Sequence, residues 1–288
     1  MTHGRALLLA HISVFFMGIA AVLAEASGFE AWRTTAYRVT FGGLVLSIVL
    51  VFRPPKSWPK PKITLLFLGL GLVLSVHWFA FFRSIELLGV MLGSAMLGVE
   101  PLIIAIGARL ALGEKMSRRA QWAMGISILG FVILGTGGEA PPHLWTGIAW
   151  ALFAYALFSI LVVANRIFVR HESPLVLTAL EMIGAAPLAI YMTPGSWFPQ
   201  DGVSWIYALS LGILCTGLAY VFYNTSMRVL SAPVAGLLLS LEVVYGISGG
   251  WLIGDSLNMR QSLAVVLVAN ILFFDIWAYL RARRAKGR

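Results

Sequence analysis

"VMLGSAMLGVEPLIIAIGA" spans residues 90–108, and its reading decides the fold. The 19 residues contain one charge, Glu100 near the centre, with Pro101 directly after it. A stretch of this length and polarity is long enough to cross the hydrocarbon of a bilayer as a helix. There a charged side chain costs about 2.5 to 3.5 kcal/mol on even the mildest scales. A carboxylate at that depth has two escapes: it takes a proton, or it turns toward a cavity or a partner.

The whole chain agrees with that solvent. Of 288 residues, 59% are hydrophobic and only 11% charged, against about a quarter charged in soluble domains; mean hydropathy is +0.88. Apolar runs such as "FGGLVLSIVLVF" (41–52) do not alternate polar and apolar residues, so membrane helices are expected and a barrel is not. The net charge of +9 comes from basic residues clustered in short links between apolar runs. Orientation in a membrane accounts for them, and no nucleic-acid partner is expected. The single cysteine, Cys215, lies inside an apolar run, which excludes an internal disulfide and a thiolate metal cluster. Five scattered histidines without HExxH spacing give no metal site, and no cofactor motif is present.

Ten spans are predicted, roughly 6–26, 33–52, 63–87, 90–111, 118–137, 145–167, 174–193, 203–227, 231–253 and 260–280. The breakers "RPPKSWPKPK" (53–62), "GTGGEAPP" (135–142) and "TPGSWFPQDG" (193–202) separate them. The first span, with Arg5 before it and "AEASG" after it, also has the look of a signal peptide; nine further spans favour an uncleaved helix. An even number of spans puts both termini on one side, and that side collects 17 of the 21 Lys and Arg residues. The positive-inside rule makes it cytoplasmic, in the plasma membrane of a bacterium (its inner membrane).

Shifted by 141 positions, the sequence matches itself without a gap. "FFRSIELLGVMLGSA" (81–95) falls on "FYNTSMRVLSAPVAG" (222–236), and "LALGEKMS" (110–117) on "WLIGDSLN" (251–258), pairing Gly113 with Gly254 and Glu114 with Asp255. Five spans per half is an odd number, so equivalent helices cross in opposite directions. The fold expected is an all-α membrane protein of ten helices in two inverted five-helix repeats, 1–142 and 143–288, in one membrane unit. Secondary transporters with this layout place their site at the repeat interface near midplane.

"RVTFGGLVL" (38–46), "GVEPLIIAIGARLALGEKMS" (98–117) and "GLLLSLEVVYGISGGWLIGDSL" (236–257) resemble the EamA-type, ten-helix branch of the drug/metabolite transporter superfamily. The resemblance covers nearly the whole chain. It implies a central cavity lined mostly by spans 1, 3, 4, 6, 8 and 9, and export of amino acids or other small metabolites in many members. One departure stands out: the position equivalent to Pro101 is Glu242, and that equivalent to Glu100 is Leu241. The second carboxylate is therefore rotated by about 100° around its helix.

Glu100, Glu181 and Glu242 each stand alone in an uncharged run. Glu100 and Glu242 are the foremost candidates for substrate and proton binding; Glu181, on the peripheral seventh span, reads as structural. Pro101 lacks an N–H and is expected to free the Leu97 carbonyl beside Glu100. Arg38 matches an arginine common in the resembled family and is expected to snorkel outward or pair with a carboxylate such as Glu25. Arg83 and Glu86, three apart, suit a local ion pair. His77 is either a proton relay or a packed histidine. Aromatics gather on the expected cavity spans, with Trp78 and Phe81 on the third, Tyr155 on the sixth and Tyr220 and Tyr223 on the eighth. Asn224 beside them and Tyr245 one turn from Glu242 are further candidates. Carboxylates beside aromatic faces suit an ammonium group.

These features point to a secondary transporter that exports a small polar metabolite, an amino acid or amine, by proton antiport and alternating access. A proton-independent facilitator or an uptake carrier is the alternative. An intramembrane enzyme lacks its motifs here: there is no GxxxxGK[ST], no HExxH and no cysteine pair. The partners expected are the solute, protons and membrane lipid, with a homodimer possible through peripheral helices.

Overall fold

Backbone amides in a bilayer must pair within their own segment, and the long apolar runs among the described residues do so as helices. The structure, a computed structural model, describes residues 1–115, 118–135 and 143–252, with 259, 262–263 and 266–267 beyond them. Helix α1 runs His3–Ser27, α2 Ala31–Phe52, α3 Pro61–Met96, α4 Glu100–Leu112, α5 Arg118–Gly135, α6 Leu144–Phe168 and α7 Pro174–Met192. They are followed by α8 Gly202–Leu209, α9 Ala219–Ser226, α10 Ala232–Leu239 and α11 Leu241–Leu252. No strand occurs among the described residues.

Seven helical stretches among the described residues are long and apolar enough to cross a membrane: His3–Ser27, Ala31–Phe52, Pro61–Val90, Trp145–Phe168, Pro174–Met192, Gly202–Ser226 and Ala232–Leu252. They correspond to expected spans 1, 2, 3, 6, 7, 8 and 9. The chain is an integral membrane protein. The tenth expected span, 260–280, falls almost entirely outside the described residues, as do Asp255, Asp275 and the basic tail.

The fourth expected span is not one helix. Within α3 the chain turns sharply at Gly89 (φ 77°, ψ 164°), a region of backbone space open essentially to glycine alone. It continues to Met96, passes through a 3₁₀ turn at Leu97–Val99, and starts again as α4 at Glu100. The ninth span is interrupted in the same way, at Ser240 between α10 and α11. Val99 and Ser240, the last residues before each restart, are 141 positions apart, in the register of the sequence repeat.

The eighth span is wound unevenly. Between α8 and α9, Ser210–Leu218 forms a π-helix. Here the Ala219 N–H reaches back five residues to the Leu214 carbonyl and three to that of Thr216, rather than four to Cys215 as in a regular α-helix. At the start of this span Asp201 caps α8, accepting from the Ser204 N–H at 2.8 Å, and that bond holds its carboxyl below the ordinary range.

Packing then brings these irregular segments together. α3 lies against α6 and α7, α2 against α7 and the π-helix, and α1 against α9 and α11. α4 packs on α6 and α10. The apolar core runs continuously through these contacts, and the two helix restarts, at Glu100 and Leu241, meet in its interior.

Candidate functional site

Glu100 is the first residue of α4 and Glu242 the second of α11. Each stands in the opening turn of a helix restart, and both are buried. Their side chains line one small cavity together with Arg38, His77, Trp78, Phe81 and Tyr220. Met17, Leu97 and Phe158 complete its wall. The cavity measures about 30 Å³, room for roughly two water molecules and too small for a metabolite. Among the described residues neither carboxylate makes an ion pair within 4 Å.

Arg38 overturns the expectation made for it. It neither snorkels nor pairs with Glu25, which is exposed; it lies 3% exposed in the interior. Its Nε donates to Thr216 Oγ1 at 2.9 Å and its Nη2 to the Cys215 carbonyl at 3.0 Å. The guanidinium carbon sits 4.2 Å from the centroid of the Trp78 ring and 5.3 Å from that of Phe82. Both acceptors, Thr216 and the Cys215 carbonyl, lie in the π-helical stretch that faces α2. Thr216 is held in turn by donating to the Leu211 carbonyl at 2.7 Å. Two carboxylates and one guanidinium thus share a small space with a net formal charge of −1 when all are ionised.

The aromatic wall is cross-linked. Trp78 Nε1 donates to the Tyr220 hydroxyl at 2.9 Å, with the two rings edge to face at 5.1 Å. His77 stacks on Phe158 at 4.8 Å, and its Nδ1 lies 2.8 Å from the Ala154 carbonyl. A contact to a carbonyl requires Nδ1 to carry the proton, so Nε2 is the nitrogen left for other partners. His77 therefore combines the packed role with a position on the cavity.

Other expected site residues lie elsewhere. The Leu97 carbonyl is not freed by Pro101, because the Glu100 N–H closes the 3₁₀ turn onto it. Pro101 instead occupies the start of α4, where its missing N–H costs nothing. Tyr155 and Tyr223 are buried and do not line the cavity, and both hydroxyls are without a hydrogen-bond partner among the described residues. Asn224 points away, donating to Thr178 Oγ1 on α7 at 2.9 Å. Tyr245 packs edge-on against Phe15 at 5.3 Å and does not line the cavity. Arg83 pairs with Glu86 at 2.7 Å, as its spacing suggests, at an exposed position remote from the cavity. Glu181 accepts from Asn165 Nδ2 at 2.7 Å in a buried contact between α6 and α7.

Thr216, the Cys215 carbonyl and Met17 were not singled out by sequence reasoning. The one available signal was Thr216, a polar residue inside an apolar span. Nothing in residue pattern marks a π-helix, so the partner of Arg38 was illegible.

The comparisons with known proteins agree with this architecture. The EamA-like transporter family model matches residues 4–136 and again 145–274. An uncharacterized transporter of Archaeoglobus fulgidus is 24% identical over 94% of this chain and 96% of its own length. The protein RarD of Streptomyces exfoliatus is 28% identical, covering 75% of this chain and 69% of RarD. A solved crystal structure shares the fold over 99% of both chains, with a TM-score of 0.77 at 21% identity. With both matched segments together spanning most of its length, this chain belongs to the EamA-like transporter family, within the drug/metabolite transporter superfamily, and is a transporter rather than an enzyme.

Proposed function

We propose that this transporter exports a small amine-bearing metabolite, an amino acid or amine-like solute, from the cytoplasm across a bacterial inner membrane by proton antiport. The observation that carries this reading is the shared cavity of Glu100, Glu242 and Arg38. With all three ionised, one positive charge is missing, and a buried charge left unbalanced is costly. One proton or one ammonium group supplies the balance equally well. The two cargoes therefore compete for the same carboxylates, which is the simplest physical basis for exchange. The Trp78 and Tyr220 rings offer π faces to the ammonium form.

The cavity of about 30 Å³ suits a substrate-free, closed state. Entry of a metabolite then requires one side of the bundle to open, and the helix restarts at Glu100 and Leu241 are the places where α4 and α11 pivot against the segments before them. In the inverted-repeat arrangement proposed for residues 1–142 and 143–288, the two restarts are equivalent, so rocking exposes the acids to each side in turn.

Proteoliposomes preloaded with candidate metabolites test the mechanism. An imposed pH gradient is expected to drive solute movement in the native chain, and Glu100→Gln is expected to abolish the response. Gradient-driven transport that persists unchanged in Glu100→Gln overturns proton antiport at this site. Transport that ignores the gradient in the native chain identifies a facilitator.

A further inference from the structure

The segment "LGE" (112–114) ends α4 in a way that reaches across the molecule. Gly113 takes the left-handed conformation (φ 65°), and its N–H returns to the Ala108 and Arg109 carbonyls. A residue with a Cβ is strained there, so glycine permits the reversal that aims Glu114 back at the bundle. Glu114 Oε1 accepts from Arg166 Nε at 2.9 Å, and Oε2 accepts from the Ala232 N–H at 2.9 Å.

Each partner has its own reason to need this carboxylate. Ala232 opens α10, and the residue before it, Ser231, makes no side-chain capping bond; Glu114 caps the helix from another element. Arg166 lies in the last turn of α6, 6% exposed, and also donates from Nη1 to the Met227 carbonyl at 2.5 Å. The cluster joins α4 to α6, α9 and α10 on the side of the membrane that holds the N-terminus. Between the cluster and the cavity, Ile104 closes over Gly236, and Ser159 Oγ donates to the Ile103 carbonyl at 3.2 Å.

The opposite side has no equivalent across the same elements among the described residues. There Glu86 accepts from the Ala31 N–H at 2.6 Å and from Arg83 at 2.7 Å, linking only α2 and α3. That pair is solvated, with side chains 44% and 30% exposed, and exposed pairs contribute little. By the 141-residue register, the positions equivalent to Glu114 and Arg166 are Asp255 and Glu25. Two acids cannot form the pair.

We infer that Glu114, Arg166 and the start of α10 form an ionic latch that holds the N-terminal side of the cavity shut, so that the resting transporter opens first on the other side. Its consequence for the transport cycle rests on the alternating-access reading above; the latch itself is measurable without substrate or gradient. In a Cys215→Ala background, the thiol introduced by Ser159→Cys reports opening on the latched side, and that introduced by Ser94→Cys, facing Gly246, reports the other. With a membrane-impermeant maleimide, Glu114→Gln and Arg166→Gln are each expected to speed labelling at 159 about tenfold, with no rise at 94. Glu86→Gln is expected to change neither rate. Arg166→Lys keeps the charge but cannot serve both Glu114 and the Met227 carbonyl in one planar fork, so an intermediate rise is expected; it decides the matter if the glutamine variants do not purify as monodisperse protein. Native labelling rates at 159 in these folded variants overturn the latch. Because labelling needs no cargo, a failed antiport assay leaves this result standing, and the reverse holds too.

Discussion

A guanidinium inside a membrane protein persists only where its N–H groups find acceptors or an aromatic face. Arg38 meets that condition with Thr216, the Cys215 carbonyl and Trp78, and the arrangement ties it to the two carboxylates of the cavity. Arg38→Met removes the only Lys or Arg that lines that space among the described residues and is expected to lower gradient-driven transport about tenfold or more. Arg38→Lys is expected to recover part of the rate at most, because an ammonium cannot lie flat on Trp78 while donating to both acceptors. Transport assays of both variants in liposomes check this, and native rates in Arg38→Met exclude a role for the charge. Residue identity told a good deal here: a lone acid in each of two apolar runs was visible at Glu100 and Glu242. What stayed hidden was direction. Sequence gives a side chain's type and helical register, yet the acceptors that Arg38 turns inward to meet, Thr216 and the Cys215 carbonyl, lie on another helix. Asn224, equally polar and one turn beyond Tyr220, turns instead to Thr178.

At the scale of the element, the helices were legible because bilayer solvent enforces them, and their interruptions were not. The expected boundary at residues 88–89 coincides with Gly89, where a glycine signals the turn. The break at Leu97–Val99 contains Gly98 and precedes Pro101, residues compatible with either a continuous kinked helix or a fresh start. That at Ser240 has no glycine or proline within three residues. Close helix crossings depend on small residues, and α3 meets α7 at the tightest of them. A Cβ on Gly184 would run into the Leu68 carbonyl oxygen, and one on Gly71 would come within 2.6 Å of the Ala185 nitrogen. Backbone cannot move aside as a side-chain tip can. Gly184→Val is therefore expected to cost about 3 kcal/mol and to lower the apparent Tm in detergent by about 5 °C or more. Thermal unfolding followed by size-exclusion chromatography measures it, and an unchanged midpoint shows that the α3–α7 contact is slack. Gly69, with nothing near its Cβ position, is the matched control.

At the scale of the whole molecule, the charge distribution bears on the direction of transport. The link 53–62 carries Arg53, Lys56, Lys60 and Lys62, whereas 193–202 carries no basic residue and one acid, Asp201. These links lie at opposite ends of α2, which ends at the first, while its start meets the second: Thr193 Oγ1 donates to the Trp32 carbonyl and Arg33 Nη2 to the Pro194 carbonyl. Basic residues resist translocation across an energised membrane, so the proposed topology puts the 53–62 link and the Glu114–Arg166 latch on the cytoplasmic face. On the proposed export reading the latch closes the door through which the solute enters, and the solute itself has to open it. Lys56→Cys and Ser196→Cys, both at exposed positions, read this directly in a chain whose native Cys215 is buried. In intact cells an impermeant thiol reagent is expected to label the 196 variant at once and the 56 variant only after the membrane is opened. The reverse pattern would invert the molecule, place the latch on the outer face, and turn the proposed exporter into a carrier whose resting state faces the cytoplasm.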